Sequence, residues 1–179
     1  MQALKVNKNS PLLAKIDALC NEAFPPEELI APMKLLEFSQ NDDKAEFELL
    51  AFLENEDFVG FVALYAYENL AYLAFFAIRA DLRGKGYGSK ALALLREHRK
   101  DRVIVAEIED PAAPCENREE RERRAAFYAR AGFKTSGNHI SYVGVTYSVL
   151  FCGEGYEAAT FKAMFDHFSK RGHFSFKFE

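Results

Sequence analysis

Apolar and polar positions recur along this chain with two periods, and the switches between them divide it into elements. Gln2 to Val6 reads as a short first strand. Ser10-Pro11 is a helix start with the proline at the first helical position, and Leu12, Leu13, Ile16, Leu19 and Cys20 fall on one face of a helix that runs to about Ala23. Pro25-Pro26-Glu27-Glu28 stops that helix and starts a second, which carries Leu29, Ile30, Met33, Leu36 and Phe38. Ala45 to Leu53 and Phe58 to Tyr67 are strand-like runs joined by the polar Glu54-Asn55-Glu56-Asp57. Glu68-Asn69 turns the chain into a third run, Leu70 to Ile78, apolar or aromatic almost throughout, as a strand buried on both faces would be. Short connections make these three runs an antiparallel meander.

In the second half, Ala91, Leu92 and Leu95 recur at helical spacing, and the run ends in His98, Arg99 and Lys100, cations where a helix C-terminus favours them. Val103 to Glu109 is a strand, parallel to the one before it because a helix crosses over between them. Asp110 to Pro114 is a loop, Glu116 to Ala131 a helix stopped by Gly132, and His139 to Tyr142 and Val143 to Cys152 are two further strands. In the tail, Phe161, Met164, Phe165 and Phe168 form a helical stripe ended by Gly172, and Phe174, Phe176 and Phe178 alternate as a strand. So much aromatic surface must be covered, either by this sheet or by a second subunit, which makes a homodimer one of two outcomes.

Between the buried third strand of the meander and the helix after it lies Arg83-Gly84-Lys85-Gly86-Tyr87-Gly88-Ser89. Glycines at such a junction let backbone N–H groups approach a ligand, and the helix behind them adds its positive dipole end, so the stretch suits an anion such as a pyrophosphate. A Walker loop is excluded, because no Gly-Lys-Ser/Thr follows at the required distance. The dinucleotide fingerprint fits as Gly86-x-Gly88-x-x-Ala91, with Glu107 near the expected distance downstream. Against it, Arg79 to Arg83 separate the strand from the first glycine, and a meander is foreign to a doubly wound sheet. A dinucleotide-dependent oxidoreductase is therefore the runner-up.

Arg83-x-x-Gly86-x-Gly88 after a buried strand resembles the acyl-CoA-binding motif of the GNAT-family N-acetyltransferases. A second stretch, Arg124-Ala125-Ala126-Phe127-Tyr128-Ala129-Arg130-Ala131-Gly132-Phe133, resembles that family's helix-ending Phe-Tyr-x-Arg/Lys-x-Gly-Phe, in the same order and with a single strand between the two. The resemblance spans roughly residues 45 to 150, and the N-terminal third fits by element order. It implies an α/β fold of the GNAT type over a single domain, residues 1 to 179: a mixed, mostly antiparallel sheet with one splayed central parallel strand pair, flanked by helices. It implies acetyl-CoA as co-substrate and no metal. Phe76, Ala77 and Ile78 would line the gap where the pantetheine arm runs, and the amides of Arg83, Gly84, Lys85, Gly86, Tyr87, Gly88 and Ser89 would hold the pyrophosphate. Tyr128 would protonate the departing thiolate, and residues near Phe24 to Leu29 would touch the acceptor. The commoner family pattern places an asparagine seven residues before the tyrosine; here that position is Arg121, which withdraws support from a coenzyme A contact at Asn117.

Composition narrows the function classes. A chain of 179 residues, 49% hydrophobic and 28% charged, has the make-up of one soluble globular domain. A net charge of −4 gives no general attraction to nucleic acid or to anionic membranes, and the alternating Glu119/Arg123 and Glu120/Arg124 pairs read as a solvated helix face. With no run of 18 apolar residues and no continuous apolar stretch near the start, a cytoplasmic location is expected. Cys20, Cys115 and Cys152 have neither disulfide-framework nor metal-ligand spacing.

Acetyl transfer to an amine needs a neutral nucleophile, and an alkyl amine of pKa near 10.4 is deprotonated in only about one molecule in a thousand at neutral pH, so a base is required. Glu107 and Glu109 project from one face of their strand, with Glu107 the deeper and preferred base; Glu68 and His139 are further candidates, while His98, His167 and His173 are expected on surfaces. The acceptor is then a small-molecule or peptide amine, and Glu107, Glu109 and Asp110 lean toward a cationic one. From a different class comes an acyl-CoA-binding module without catalysis.

Overall fold

The computed structural model describes residues 1–26, 29–38, 42–172 and 175–179, with the backbone alone at 38, 171 and 172. Its strands are β1 (Gln2–Val6), β2 (Ala45–Glu54), β3 (Asp57–Tyr67), β4 (Leu70–Ile78), β5 (Val103–Glu109), β6 (Lys134–Tyr142), β7 (Val145–Cys152) and β8 (Lys177–Phe178). The helices are α1 (Leu12–Ala23), α2 (Pro32–Phe38), α3 (Tyr87–His98), α4 (Arg118–Arg130) and α5 (Ala158–Gly172), with a 3₁₀ turn at Ala80–Leu82 ahead of α3. The described strands form one sheet in the order β1-β2-β3-β4-β5-β7-β6-β8, in which only β4 and β5 run parallel.

The meander follows from its turns. Asn55 and Glu56 take φ of 49° and 70°, the mirror-image turn whose twist matches the strands it joins. Gly60 is required for another reason: a Cβ there would lie 2.3 Å from the carbonyl oxygen of Ala77, so only glycine lets β3 approach β4 at that point.

The gap in the sheet has a local cause. β4 pairs with β5 at three positions, Leu70 with Val103, Ala71 with Ile104 and Tyr72 with Val105. Immediately afterwards the β3–β4 register shifts, because Ala63 faces Phe75 while Leu64 faces Leu73, leaving Ala74 as an extra residue. Such a bulge bends its strand. β4 stays with β3 as far as Ile78, whereas β5 continues along β7 to Glu109, and the two parallel strands part company. This meander and this short parallel contact are not the doubly wound sheet of the dinucleotide reading.

Two cores occupy the two faces. α1, α2 and α5 bring Ile16, Leu19, Leu35, Phe161 and Phe165 against Leu49, Phe61, Tyr65 and Val105; α3 and α4 bring Leu92, Leu95 and Tyr128 against Leu50, Phe52, Val62 and Ile104. α4 is otherwise largely exposed, as its charge pattern required, and its Glu120–Arg124 pair forms at 3.0 Å. At the end of α3, His98 and Arg99 reach the buried Glu48 of β2, Arg99 at 2.6 Å, tying the helix to the sheet.

Several boundaries differ from the sequence expectation. α2 starts at Pro32, so Leu29 and Ile30 precede it rather than ride on it. The proline resets the helical phase, and Leu35 is buried while Met33 is exposed. Glu27 and Glu28 lie outside the described residues, as do His173 and Phe174. β6 begins at Lys134, ahead of His139; its opening residues are polar and carry no apolar alternation. Val143 is a turn residue at φ 50°, not the start of β7. His167 is part-buried, pairing with Asp42 at 2.9 Å beside the rings of Tyr65 and Tyr67. The tail packs within the chain: Phe176 meets Phe165 at 5.0 Å, Phe178 meets Phe161 at 5.9 Å, and β8 pairs with β6. Among the described residues no helix is long and apolar enough to cross a membrane.

Candidate functional site

Where β4 leaves β5, a cleft of about 1250 Å³ passes from one face of the sheet to the other. Its lining joins residues from both cores, Phe24, Tyr72 and Phe165 from one and Ile78, Phe127 and Tyr128 from the other. On the α3 side lie Phe76, Ala77, Ile78, Arg83, Gly84, Gly86, Gly88 and Ser89. Lys85 and Tyr87 do not line it; Tyr87 turns its ring to the ammonium of Lys90, 5.3 Å away.

Gly84 and Gly86 take φ of 74° and 82°, and nothing lies within 4 Å of the place a Cβ would occupy at either. The loop is thus left-handed backbone facing open space, with Gly86 directly ahead of the twelve-residue α3, a geometry suited to phosphate oxygens. Gly88 serves packing as well, since a Cβ there would meet the Phe127 ring at 3.2 Å. Arg83 Nε donates to the Ile78 carbonyl at 3.2 Å, fixing the loop to the end of β4.

β5 places alternate residues on opposite faces: Val103 and Val105 pack in the α5 core, Ile104, Ala106 and Ile108 in the α3–α4 core. Glu107 therefore faces the α5 side. There its Oε1 accepts from the Tyr72 hydroxyl at 2.7 Å and from the Tyr142 hydroxyl. Burial first, and then the charge of Glu107, push both phenols well above the usual tyrosine range, so each is a fixed donor. Tyr128 belongs to the opposite core, and burial raises its phenol to about 12, partly offset by Arg124.

The other acid–base candidates are engaged or remote. Glu109 lines the cleft but is ion-paired with Arg121 at 2.9 Å and Arg124 at 3.0 Å. Arg121 also donates to Asn117 Oδ1 at 2.9 Å and to the Asp110 carbonyl at 3.1 Å, so it fastens the start of α4 to the end of β5. His139 sits 3.6 Å from Asp110, and neither lines the cleft. Glu68 occupies the β3–β4 turn, away from the cleft, at φ 47°. His98 is bound to Glu48.

Tyr72, Tyr142, Phe165 and Phe168 also line the cleft, although no local motif in the sequence marks them. One signal was available: a tyrosine in a strand buried on both faces must find a partner for its hydroxyl.

In class the protein is a mixed α/β fold, a sheet opened at its parallel pair with a glycine loop on one face of the opening and Glu107 on the other. The sequence profile described as the Acetyltransferase (GNAT) family matches residues 13–133, and the chain belongs to that family. Among solved structures it is similar to a GNAT-family protein from Bacteroides thetaiotaomicron, with a TM-score of 0.73, 24% identity, and coverage of 94% of this chain and 96% of the other. It is also similar to an aminoglycoside 6'-N-acetyltransferase complexed with coenzyme A (TM-score 0.65, 17% identity, 84% and 96% covered). A third similar structure is the aminoglycoside 6'-N-acetyltransferase from Enterococcus faecium (TM-score 0.63, 16% identity, 85% and 96% covered). At these identities the likeness is one of fold. No curated protein matches this sequence.

Proposed function

We propose that the protein is an N-acetyltransferase that moves an acetyl group from acetyl-CoA to a primary amine by direct attack in a ternary complex. The observation that carries this reading is the placement of Glu107 and Tyr128 on opposite faces of one cleft, at the point where β4 and β5 separate. The edge of β4 from Phe76 to Ile78, which has left β5, offers main-chain groups to the pantetheine arm. The amides of Gly84, Gly86, Gly88 and Ser89, with the α3 dipole and Arg83, take the pyrophosphate; Lys85 and Tyr87 contribute main-chain N–H groups alone.

Acetyl-CoA supplies an activated acyl group as a thioester. Glu107 takes one proton from the amine, directly or through water, while a main-chain N–H near Ile78 polarises the carbonyl. The nitrogen–carbon bond forms, the carbon–sulfur bond breaks with its electron pair on sulfur, and Tyr128 gives that sulfur a proton; the second proton the nitrogen sheds on becoming an amide passes to solvent, and solvent restores the Tyr128 phenol. Burial that keeps the phenol protonated to about pH 12 keeps it a donor throughout the working range. All three cysteines carry free thiols, as a reducing compartment maintains them, and a cytoplasmic location is part of the proposal.

Tyr128→Phe is the test. It keeps the ring that packs on Phe127 and Phe133 and removes one hydroxyl. Turnover is expected to fall by about 10²- to 10⁴-fold with little change in acetyl-CoA affinity. Wild-type turnover in the variant, with chemistry rate-limiting, would remove Tyr128 from the mechanism. Coenzyme A binding without turnover of any amine by the wild type would favour the non-catalytic module.

A further inference from the structure

The α5-side half of the cleft has a chemistry distinct from the loop half. Glu107 is bonded to Tyr72 and Tyr142, and these two rings are packed by others. Phe165 lies 5.6 Å from Tyr72 and 5.9 Å from Tyr142, Phe168 lies 6.1 Å from Tyr72, and Tyr147 stacks on Tyr142 at 4.6 Å. One carboxylate thus sits among aromatic side chains, an arrangement that attracts a cation to a single charge in otherwise apolar surroundings.

Two further segments line the cleft with apolar side chains. From the α1–α2 segment come Phe24, Leu29 and Ile30, with Phe24 edge-on to Phe75 at 5.1 Å. From the β6–β7 turn comes Val143, which is 54% exposed and lines the cleft at φ 50°. A β-branched residue in left-handed backbone is costly where asparagine or glycine would sit with less strain. An exposed, strained, apolar side chain on the rim of a cleft is an outlier of the kind that function retains.

The other carboxylates among the described lining residues, Glu109 and Glu120, are already neutralised by guanidinium groups, Glu109 by Arg121 and Arg124 and Glu120 by Arg124. Arg123 and Arg130 also line the cleft. A polycation would have to place its further charges against the apolar walls of this half, which costs free energy.

We propose that the acceptor is a small primary monoamine with an aromatic or branched apolar body, its nitrogen directed to Glu107 and its body held between Phe24 and Val143. The proposal rests on the acetyl-transfer reading, and the reaction remains that given above: one amine proton passes to Glu107, the amide bond forms, and coenzyme A leaves as its thiol.

The test measures thiol release from acetyl-CoA with phenethylamine, ethylamine, spermidine, kanamycin and a peptide with a free N-terminus, with rates expressed per unprotonated amine. Phenethylamine is expected to exceed ethylamine in kcat/KM by at least about tenfold and on the order of 100-fold, the scale on which a hydrophobic pocket discriminates. It is also expected to exceed spermidine, kanamycin and the peptide. A preference for any of those three overturns the proposal while leaving acetyl transfer in place. Binding of coenzyme A with no thiol release from any amine overturns the acetyl-transfer reading itself, and the proposal with it. Two variants keep the assignment of the walls open to refutation. Val143→Asn relieves backbone cost and so preserves the fold, and Phe24→Ala opens the opposite wall; in each the phenethylamine-to-ethylamine ratio is expected to fall several-fold with coenzyme A affinity retained. A ratio unchanged in both variants means that neither wall touches the acceptor's body, and overturns the proposal.

Discussion

Gly86 illustrates how a single residue serves the backbone and the ligand at once. Its φ of 82° is left-handed, and the space beyond its Cα is empty of protein. Gly86→Ala should lower stability by only about 1–2 kcal/mol, the cost of an L-residue in that region. Coenzyme A affinity should fall by roughly tenfold or more if the space belongs to the ligand; calorimetric titration beside a melting curve separates the two effects. An unchanged dissociation constant would show that the loop is only a connector. Tyr128 carries the second expectation at this scale. With its phenol raised to about 12, its ionisation lies outside the usual assay range. The plateau of the pH–rate profile should therefore drop in Tyr128→Phe without any limb moving below about pH 11.

At the level of elements, the splay depends on two features of the meander, the bulge at Ala74 and the close approach at Gly60. Gly60→Ala would place a methyl 2.3 Å from the Ala77 carbonyl oxygen, which backbone movement alone can relieve. Overpacking of this kind costs about 1–3 kcal/mol. Because the displaced residues are the edge assigned to the pantetheine arm, acetyl-CoA affinity should weaken together with stability, whereas Gly137→Ala, at a site with nothing within 4 Å, should affect stability alone. Strand 70–78, strand 103–109 and the helix after the glycine loop were legible in the sequence because apolar runs and helical spacing encode burial directly. β6 was half hidden for the converse reason, since polar residues on a strand near the sheet's edge leave no alternation to read.

Over the whole molecule, the phenylalanine-rich tail closes the α5 side. Deleting residues 175 to 179 removes β8 and the rings that cover Phe161 and Phe165, and should destabilise the chain by about 2–4 kcal/mol, from the burial of two partly exposed aromatics. Since the tail packs in cis, sedimentation should not change; dissociation of a larger species on deletion would contradict that role. Alkaline pH provides a second global test. Tyr72 and Tyr128 have folded pKa values raised above the unfolded value near 10, so their contribution is fully present below pH 10 and is lost above it, as the unfolded chain releases protons that the folded chain retains. Tyr128 should lower stability by up to about 1.4 kcal/mol per pH unit between pH 10 and 12, and Tyr72 acts in the same direction. Melting temperatures flat across that interval would contradict the burial of both phenols.

The sequence by itself determined the meander, the helical crossover, the glycine loop and the Phe-Tyr helix end, because each is written in local periodicity or in residues a few positions apart. It also singled out Glu107 and Tyr128 by type and place. Tertiary structure alone decided that these two line one cleft from opposite faces of the sheet, since that requires β4 to bulge at Ala74 and β5 to follow β7. It alone decided that β7 lies between β5 and β6, that Arg121 and Arg124 neutralise Glu109, and that Tyr72 from β4 and Tyr142 from β6 meet on Glu107. Contacts between side chains a dozen or more residues apart leave no period in the chain, and only packing brings them together.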